Sequence, residues 1–303
     1  MDNIINKIIL NFNELYIDNT LTAIKVTGTD NKKFLQGQLT NDIESITDNY
    51  LNASYCTHQG KVIVNMQVIL IDNDVVLLLS KSLAEYFIEK ISKYILMSDV
   101  QFAMYDHINI YWALGERANN MLTKYDIKKT ESNNKINKSE YLINMSTKNS
   151  YKCRYISLDD KLCENINLAS LEQSQTCLLD LLSLHTRLKK DDIEKYIPQV
   201  LNSDELNTVS YKKGCYTGQE VIARTHYLGN VKKHLYLVTT DTCIDSEVNI
   251  VNTDGESVGE LIGETFKYDG KLLSHGILRD SSDFKDLFIA NKELDVITKE
   301  GTV

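Results

Sequence analysis

Two periodicities divide the chain. Leu21–Thr27 reads as a strand, Gly28-Thr29-Asp30 as a turn, and Thr29 or Asp30 as the cap of a helix carrying Phe34, Leu35 and Gln38. Tyr50–Thr57 and Val62–Ile71 are strand patterns separated by the turn His58-Gln59-Gly60-Lys61. Asp72-Asn73-Asp74 turns the chain again, into the apolar run Val75–Leu79. Ser82 and Glu85 then have capping-box spacing, and Ala84, Phe87, Ile88, Ile91 and Ile95 recur at helical intervals. Two more strands are expected over Val100–Tyr105 and Ile108–Leu114, then a short helix over Glu116–Tyr125. This mixture, with hairpin-like spacing, predicts an α+β arrangement rather than a doubly wound sheet.

Residues 126–150 are mostly polar and read as a surface excursion with a weak strand near Tyr141–Met145. Tyr151–Leu158 is strand-like, and Leu178, Leu181, Leu182 and His185 share one face of an expected helix. Beyond Val231 the pattern changes to short β-type runs broken by turns such as Thr253-Asp254-Gly255 and Tyr268-Asp269-Gly270. That tail of about 70 residues predicts a small β-barrel. The division expected is therefore 1–230 and 231–303.

Composition narrows the function. The chain has 303 residues and a formal net charge of -9. Bulk electrostatic binding of nucleic acid is not expected at that charge. The N-terminal stretch is interrupted by Asn, Lys and Glu, and no run reaches membrane-spanning length, so a soluble cytoplasmic protein is expected. Six cysteines are scattered without a C-x-x-C pair. None of the six histidines has helix-face metal spacing, so no metal site is expected.

The densest chemistry lies in Lys212-Lys213-Gly214-Cys215-Tyr216-Thr217-Gly218-Gln219-Glu220. Thr217 and Glu220 have capping-box spacing, so a helix is expected from Gly218, with Tyr216 stapled to Val221. Cys215 then lies outside a helix N-terminus and behind two lysines, a setting that favours thiolate. Gly214 and Gly218 allow a tight turn and a close ligand. The same residues also suit a plain structural turn, with Glu220 as a cap paired to Arg224. His226 falls roughly 12 Å or more along the helix from its start, too far for direct pairing with Cys215. Arg224, Lys232 and Lys233 suit either an anionic ligand or solvent.

The segment resembles the motif K-G-C-Y-x-G-Q-E of the YgfZ family, folate-binding proteins related to the T-protein (aminomethyltransferase) of the glycine cleavage system. Tyr196-Ile197-Pro198-Gln199 with Asn202, Val221–Arg224, and Tyr227 with Gly229 extend the resemblance. So do Thr27–Asp30, Phe34–Asp42 and Gln59-Gly60-Lys61. One stretch departs: Ser183–Leu188 lacks the Glu, Gly and Pro of the related E-x-G-x-P, whose carboxylate suits the donor edge of a pterin. The single tryptophan, Trp112, lies outside the matching blocks.

The resemblance implies two α+β subdomains around a central folate cavity, followed by a β-barrel. It implies tetrahydrofolate or another reduced folate as cofactor, and Cys215 as the functional thiol supported by Lys213 and Glu220. Gly214, Tyr216, Gly218, Gln219, Arg224 and Asp42 are the expected folate-side residues. The implied role is accessory: assembly or repair of iron–sulfur clusters for enzymes that methylthiolate tRNA, with those enzymes or assembly proteins as partners. The alternative is a folate-dependent aminomethyl or one-carbon transferase, for which Asp42 is the available acid.

Overall fold

The run Val75–Leu79 is apolar throughout because its strand is covered on both faces. Val75, Leu77 and Leu79 enter one core, and Val76 and Leu78 another, as strand alternation requires. The protein is described as a computed structural model over residues 15–47, 50–128, 136, 139–146, 151–158, 168–169, 186–241, 249–268, 270–280, 284–298 and 301–302. The helix expected at Leu178–His185 lies outside these residues, as do Cys163, Cys177 and Cys243.

In chain order the first elements are β1 (Leu15–Ile17), β2 (Leu21–Thr27), α1 (Asn31–Gln36), β3 (Leu51–Cys56), β4 (Val62–Ile71), β5 (Asp74–Ser80) and α2 (Ala84–Ser92). They continue with β6 (Gln101–Met104), β7 (Asn109–Leu114), α3 (Gly115–Lys124), β8 (Glu140–Asn144), β9 (Lys152–Ser157) and β10 (Leu168–Ala169). One sheet has the order β3-β4-β5-β2-β6, the other β10-β1-β7-β9-β8. The sheets meet through Ala23, Ile69, Ile71, Val76 and Leu78 on one side and Ile110, Tyr141, Ile143 and Ile156 on the other. Ala118 and Leu122 of α3 cover the far face of the second sheet. Phe34 and Leu35 of α1, with Phe87 and Ile91 of α2, cover the far face of the first.

Both helix caps expected near these elements are replaced by other hydrogen bonds. Asp30 precedes α1 without capping it; its carboxylate accepts the Asp99 N–H at 2.9 Å, while Thr29 donates N–H and O–H to the Asp99 carboxylate. Ser82 lies in a 3-10 turn, Lys81–Leu83, with its hydroxyl 3.0 Å from that of Ser80. Short polar side chains here find other partners, Asp99 across the fold for Thr29 and Asp30 and Ser80 nearby for Ser82, instead of the first helical N–H groups.

After a 3-10 turn at Pro198–Leu201, α4 (Gln219–Leu228) leads into the barrel strands β11 (Lys233–Thr240), β12 (Asn249–Val251), β13 (Ser257–Tyr268), β14 (Lys271–Arg279), β15 (Leu287–Ile289), β16 (Lys292–Thr298) and β17 (Gly301–Thr302). The order β11-β14-β13-β12-β15-β16 closes through pairing of β11 with β16, and β17 is added beyond β16. Val238, Ile250, Leu261, Leu278, Ile289 and Val296 fill the interior. Leu235, Ile262 and Ile277 face outward and join the core beneath the first sheet. The expected mixture of α+β layers and a terminal barrel is the observed fold.

The start of α4 also departs from the capping box. Its cap is Gly218, at φ 84°, with no side-chain capping bond. A Cβ there would lie 2.5 Å from the Thr57 carbonyl oxygen and 2.9 Å from Gly60 Cα. The Thr57–Gly60 turn, with Gly60 at φ 72°, thus presses backbone on backbone against the helix start, and only glycine fits.

A buried ion pair joins distant parts of the chain. Asp18 accepts Trp112 Nε1–H and an Arg187 N–H, each at 2.9 Å, and both the N–H and O–H of Thr20. Trp112 is therefore a core residue, with the Arg154 guanidinium 4.4 Å above its ring. Removing the cation with Arg187→Met is expected to lower the unfolding free energy in urea by about 3–5 kcal/mol, because the buried carboxylate loses its counter-charge. Gly218→Ala is expected to cost about 1–3 kcal/mol in the same assay through strain and contact. Gly214→Ala, whose Cβ meets nothing within 4 Å, is expected to leave the midpoint unchanged.

Candidate functional site

The opening block and the cysteine segment, far apart in sequence, are stitched together by polar side chains. Asn52 Nδ2 donates to the Leu206 carbonyl at 2.9 Å, and Asn41 Nδ2 donates to the carbonyls of Asn52 and Asn207, each at 2.7 Å. Thr40 donates its hydroxyl to the Thr208 carbonyl at 2.6 Å and receives the Ser210 N–H on its own carbonyl at 3.0 Å. The Thr217 N–H reaches the Gly37 carbonyl at 3.2 Å. Thr40 and Asn41 of Phe34–Asp42 therefore line a seam, and Thr40 satisfies a buried carbonyl there that would otherwise be left unpaired.

Lys213 is the charged stitch in this seam. Its ammonium donates to the carbonyls of Gln36, Leu39 and Asn41, each at 2.7 Å. These lie at and just beyond the C-terminal end of α1, where carbonyls lack helical partners and carry the negative end of the dipole. Burial pulls the Lys213 pKa down to about 8, against the pull of Asp42 and Glu44. The Tyr216 ring lies 5.0 Å from the ammonium. Tyr216 itself is buried in the main core, and its hydroxyl has no hydrogen-bond partner among the described residues.

Cys215 stands between these two anchored residues and is exposed, as is Gly214. Of the described cysteines, Cys56 and Cys153 are buried, and burial pushes both thiols up. Thr217 does not cap α4; its hydroxyl points to Gln38 Oε1 at 3.4 Å. Gln219 opens α4, and Glu220 and Arg224 lie exposed on it with no ion pair between them. Asp42 accepts Gln36 Nε2–H at 2.8 Å, beside the Lys213 anchor. His226 stacks on Tyr211, ring centroids 3.6 Å apart.

The proline segment serves the same junction. Gln199 Nε2 donates to the Ile222 carbonyl of α4 at 2.7 Å, and Asn202 Nδ2 to the Leu235 carbonyl of β11 at 3.2 Å. Residues the sequence reading did not single out as functional, Asn41, Thr40 and Asn52, prove central to the seam. A run of Thr, Asn and Gln between apolar positions was the available hint.

A separate cleft lies between the two sheets. Asn65, Gln67, Arg154 and Arg187 supply its polar lining, and Leu21, Met66 and Leu188 are among its apolar walls. It holds about 460 Å³, counting space open to solvent. None of the nine residues named for the site from sequence is among the described residues lining it. No Asp or Glu is among them either, and nearby Asp18 already accepts bonds on both oxygens. The amide oxygens of Asn65 and Gln67 are also taken, by Ser54 and Arg154. The described lining thus suits a flat apolar ring and an anionic group but offers no carboxylate to the donor edge of a pterin. No group of three or more potential metal ligands occurs among the described residues, and no described helix is long and apolar enough to cross a membrane.

No family model matches the chain. A protein of Colwellia psychrerythraea described as "tRNA-modifying protein YgfZ" is 27% identical over 297 residues, covering 92% of this chain and 89% of the relative. The protein of the same description from Aliivibrio fischeri is 28% identical over 263 residues, 84% and 78% of the two chains. That from Buchnera aphidicola is 29% identical over 235 residues, 75% and 74%. Among solved structures, the glycine cleavage system aminomethyltransferase T of Bartonella henselae superposes with a TM-score of 0.66 at 12% identity, covering 98% of this chain and 86% of that one. The α+β layers with a closed barrel are thus the aminomethyltransferase fold, and the chain is a relative of the YgfZ proteins.

Proposed function

We propose that this chain is an accessory protein in tRNA modification, serving iron–sulfur enzymes that methylthiolate tRNA, with Cys215 as its working thiol. The observation that carries the reading is the contrast among the described cysteines: Cys215 alone is exposed, on a segment whose neighbours on either side are anchored. The names of the relatives support the process. Cys215 gives up its S–H proton to water, and the thiolate so formed donates an electron pair to an iron of the partner's cluster. Gly214 leaves the backbone beside the sulfur open to an approaching surface. The partner is an iron–sulfur enzyme or assembly protein in the cytoplasm. With a net charge of -9, direct contact with tRNA is not part of the reading.

A reduced folate is the ligand assigned to the cleft between the sheets, on the likeness to the aminomethyltransferase fold. The apolar walls and Arg154 would flank and balance it, while the described lining holds no carboxylate for the pterin donor edge. The transferase alternative finds no support at Asp42, which is turned to Gln36 and away from that lining.

In a bacterial strain lacking its own YgfZ protein, the wild-type chain is expected to restore methylthiolated tRNA, read by mass spectrometry of nucleosides. Cys215→Ala is expected to fold with an unchanged melting temperature and restore none; full restoration would overturn the role of the thiol. Titration with tetrahydrofolate is expected to quench the single tryptophan, Trp112, saturably, because Arg154 links its ring to the cleft. Unchanged emission together with no heat in calorimetry would remove folate from the reading.

A further inference from the structure

We infer that Lys213 is a positioning residue: its ammonium ties the cysteine loop to the carbonyl end of α1 and so sets where Cys215 is presented. The role assigned to Cys215 rests on the function proposed above; the tether itself does not. Sequence suggested a lysine supporting a thiolate. The geometry instead spends all three N–H donors of Lys213 on the carbonyls of Gln36, Leu39 and Asn41. That is the full donor capacity of an ammonium. The loop between Tyr211 and Thr217 has one further backbone bond to this element, from the Thr217 N–H to Gly37. Lys213 lies two residues before Cys215, and Tyr216, buried and close to the ammonium, lies one residue after it. An exposed sulfur is thus held between a half-buried anchor, Lys213, and a buried one, Tyr216.

The tether is coupled to protons, and the sign follows from burial. The groups facing the ammonium are Asp42 and Glu44 from the segment after α1 and Tyr216 from its own loop. With the loop closed, Lys213 titrates at about 8, against an ordinary value of 10.5 when solvated. Closing the loop therefore releases a proton in this window. Closure becomes more favourable as pH rises from about 8 toward 10.5, by at most about tenfold per pH unit. Below about 8 the closed loop carries the charge and closure no longer changes with pH. The amine formed above 8 keeps two N–H donors, so the tether loses one bond while shedding the cost of a buried charge.

Millisecond hydrogen–deuterium exchange on the full chain, corrected for intrinsic rates, tests this. In the wild type, protection of the Thr217 amide, which bonds to the Gly37 carbonyl, is expected to climb between about pH 8 and pH 10 and to be flat from pH 6.5 to 7.5. Lys213→Met, which keeps the stem without donors or charge, is expected to lower protection at Thr217 and at 36–41 about tenfold at pH 7.5, the loss expected from hydrogen bonds to a charged group. Its profile is expected to stay flat at higher pH, with the barrel strands unaffected. Lys213→Arg, charged throughout, is expected to regain part of the protection at pH 7.5 without the climb. Wild-type protection that stays flat across the range, or Lys213→Met protection equal to wild type, would overturn the tether. Exchange does not depend on what Cys215 does, so failure of Cys215→Ala to abolish tRNA methylthiolation would remove the function and leave the tether standing.

Discussion

The contact on which the candidate site depends is backbone against backbone, where the Thr57–Gly60 turn meets the start of α4 at Gly218. A Cβ at Gly218 would fall inside the van der Waals envelope of the Thr57 carbonyl. That approach fixes how α4 leaves the first sheet and therefore where the preceding loop runs. Gln199 holds the same helix from behind through the Ile222 carbonyl. With the helix pinned on two sides, residues 206–217 are drawn along the end of α1 and the loop that follows it.

The seam that results is built from modest bonds. Thr40, Asn41 and Asn52 bond to the carbonyls of Thr208, Asn207 and Leu206 in turn, the first of them buried. Individually such bonds contribute about 1 kcal/mol, but leaving one unmade in a buried seam costs more than making it gains. Lys213 adds a charge to the same seam at the carbonyl end of a helix, the end that attracts cations. The outcome is a rigid support carrying one exposed thiol, with a separate polar cleft between the sheets organised by Asp18, Arg187, Arg154 and Gln67.

Most strands were legible because their patterns are strong. Val62–Ile71 and Leu21–Thr27 match their strands end to end, and the turn-punctuated tail beyond Val231 closes into the expected barrel. The helices observed as α1 to α4 were also legible, but their caps were not. Thr217 with Glu220 and Ser82 with Glu85 have the right spacing, yet each hydroxyl is engaged elsewhere. A capping box is a local preference of about 1 kcal/mol, and a tertiary contact of similar size redirects a hydroxyl easily.

By itself the sequence determined which stretches alternate, which recur at helical spacing, and that Cys215 sits beside lysines and glycines, since these follow from residue type and order. Only the tertiary structure decided what Lys213 binds, that Gly218 exists for the Gly60 turn, and that Asp42 faces Gln36 rather than the cleft. The physical reason is range: periodicity is written between neighbours, whereas Lys213 meets its carbonyls across more than 170 positions of chain. No local pattern encodes a partner that only folding brings near.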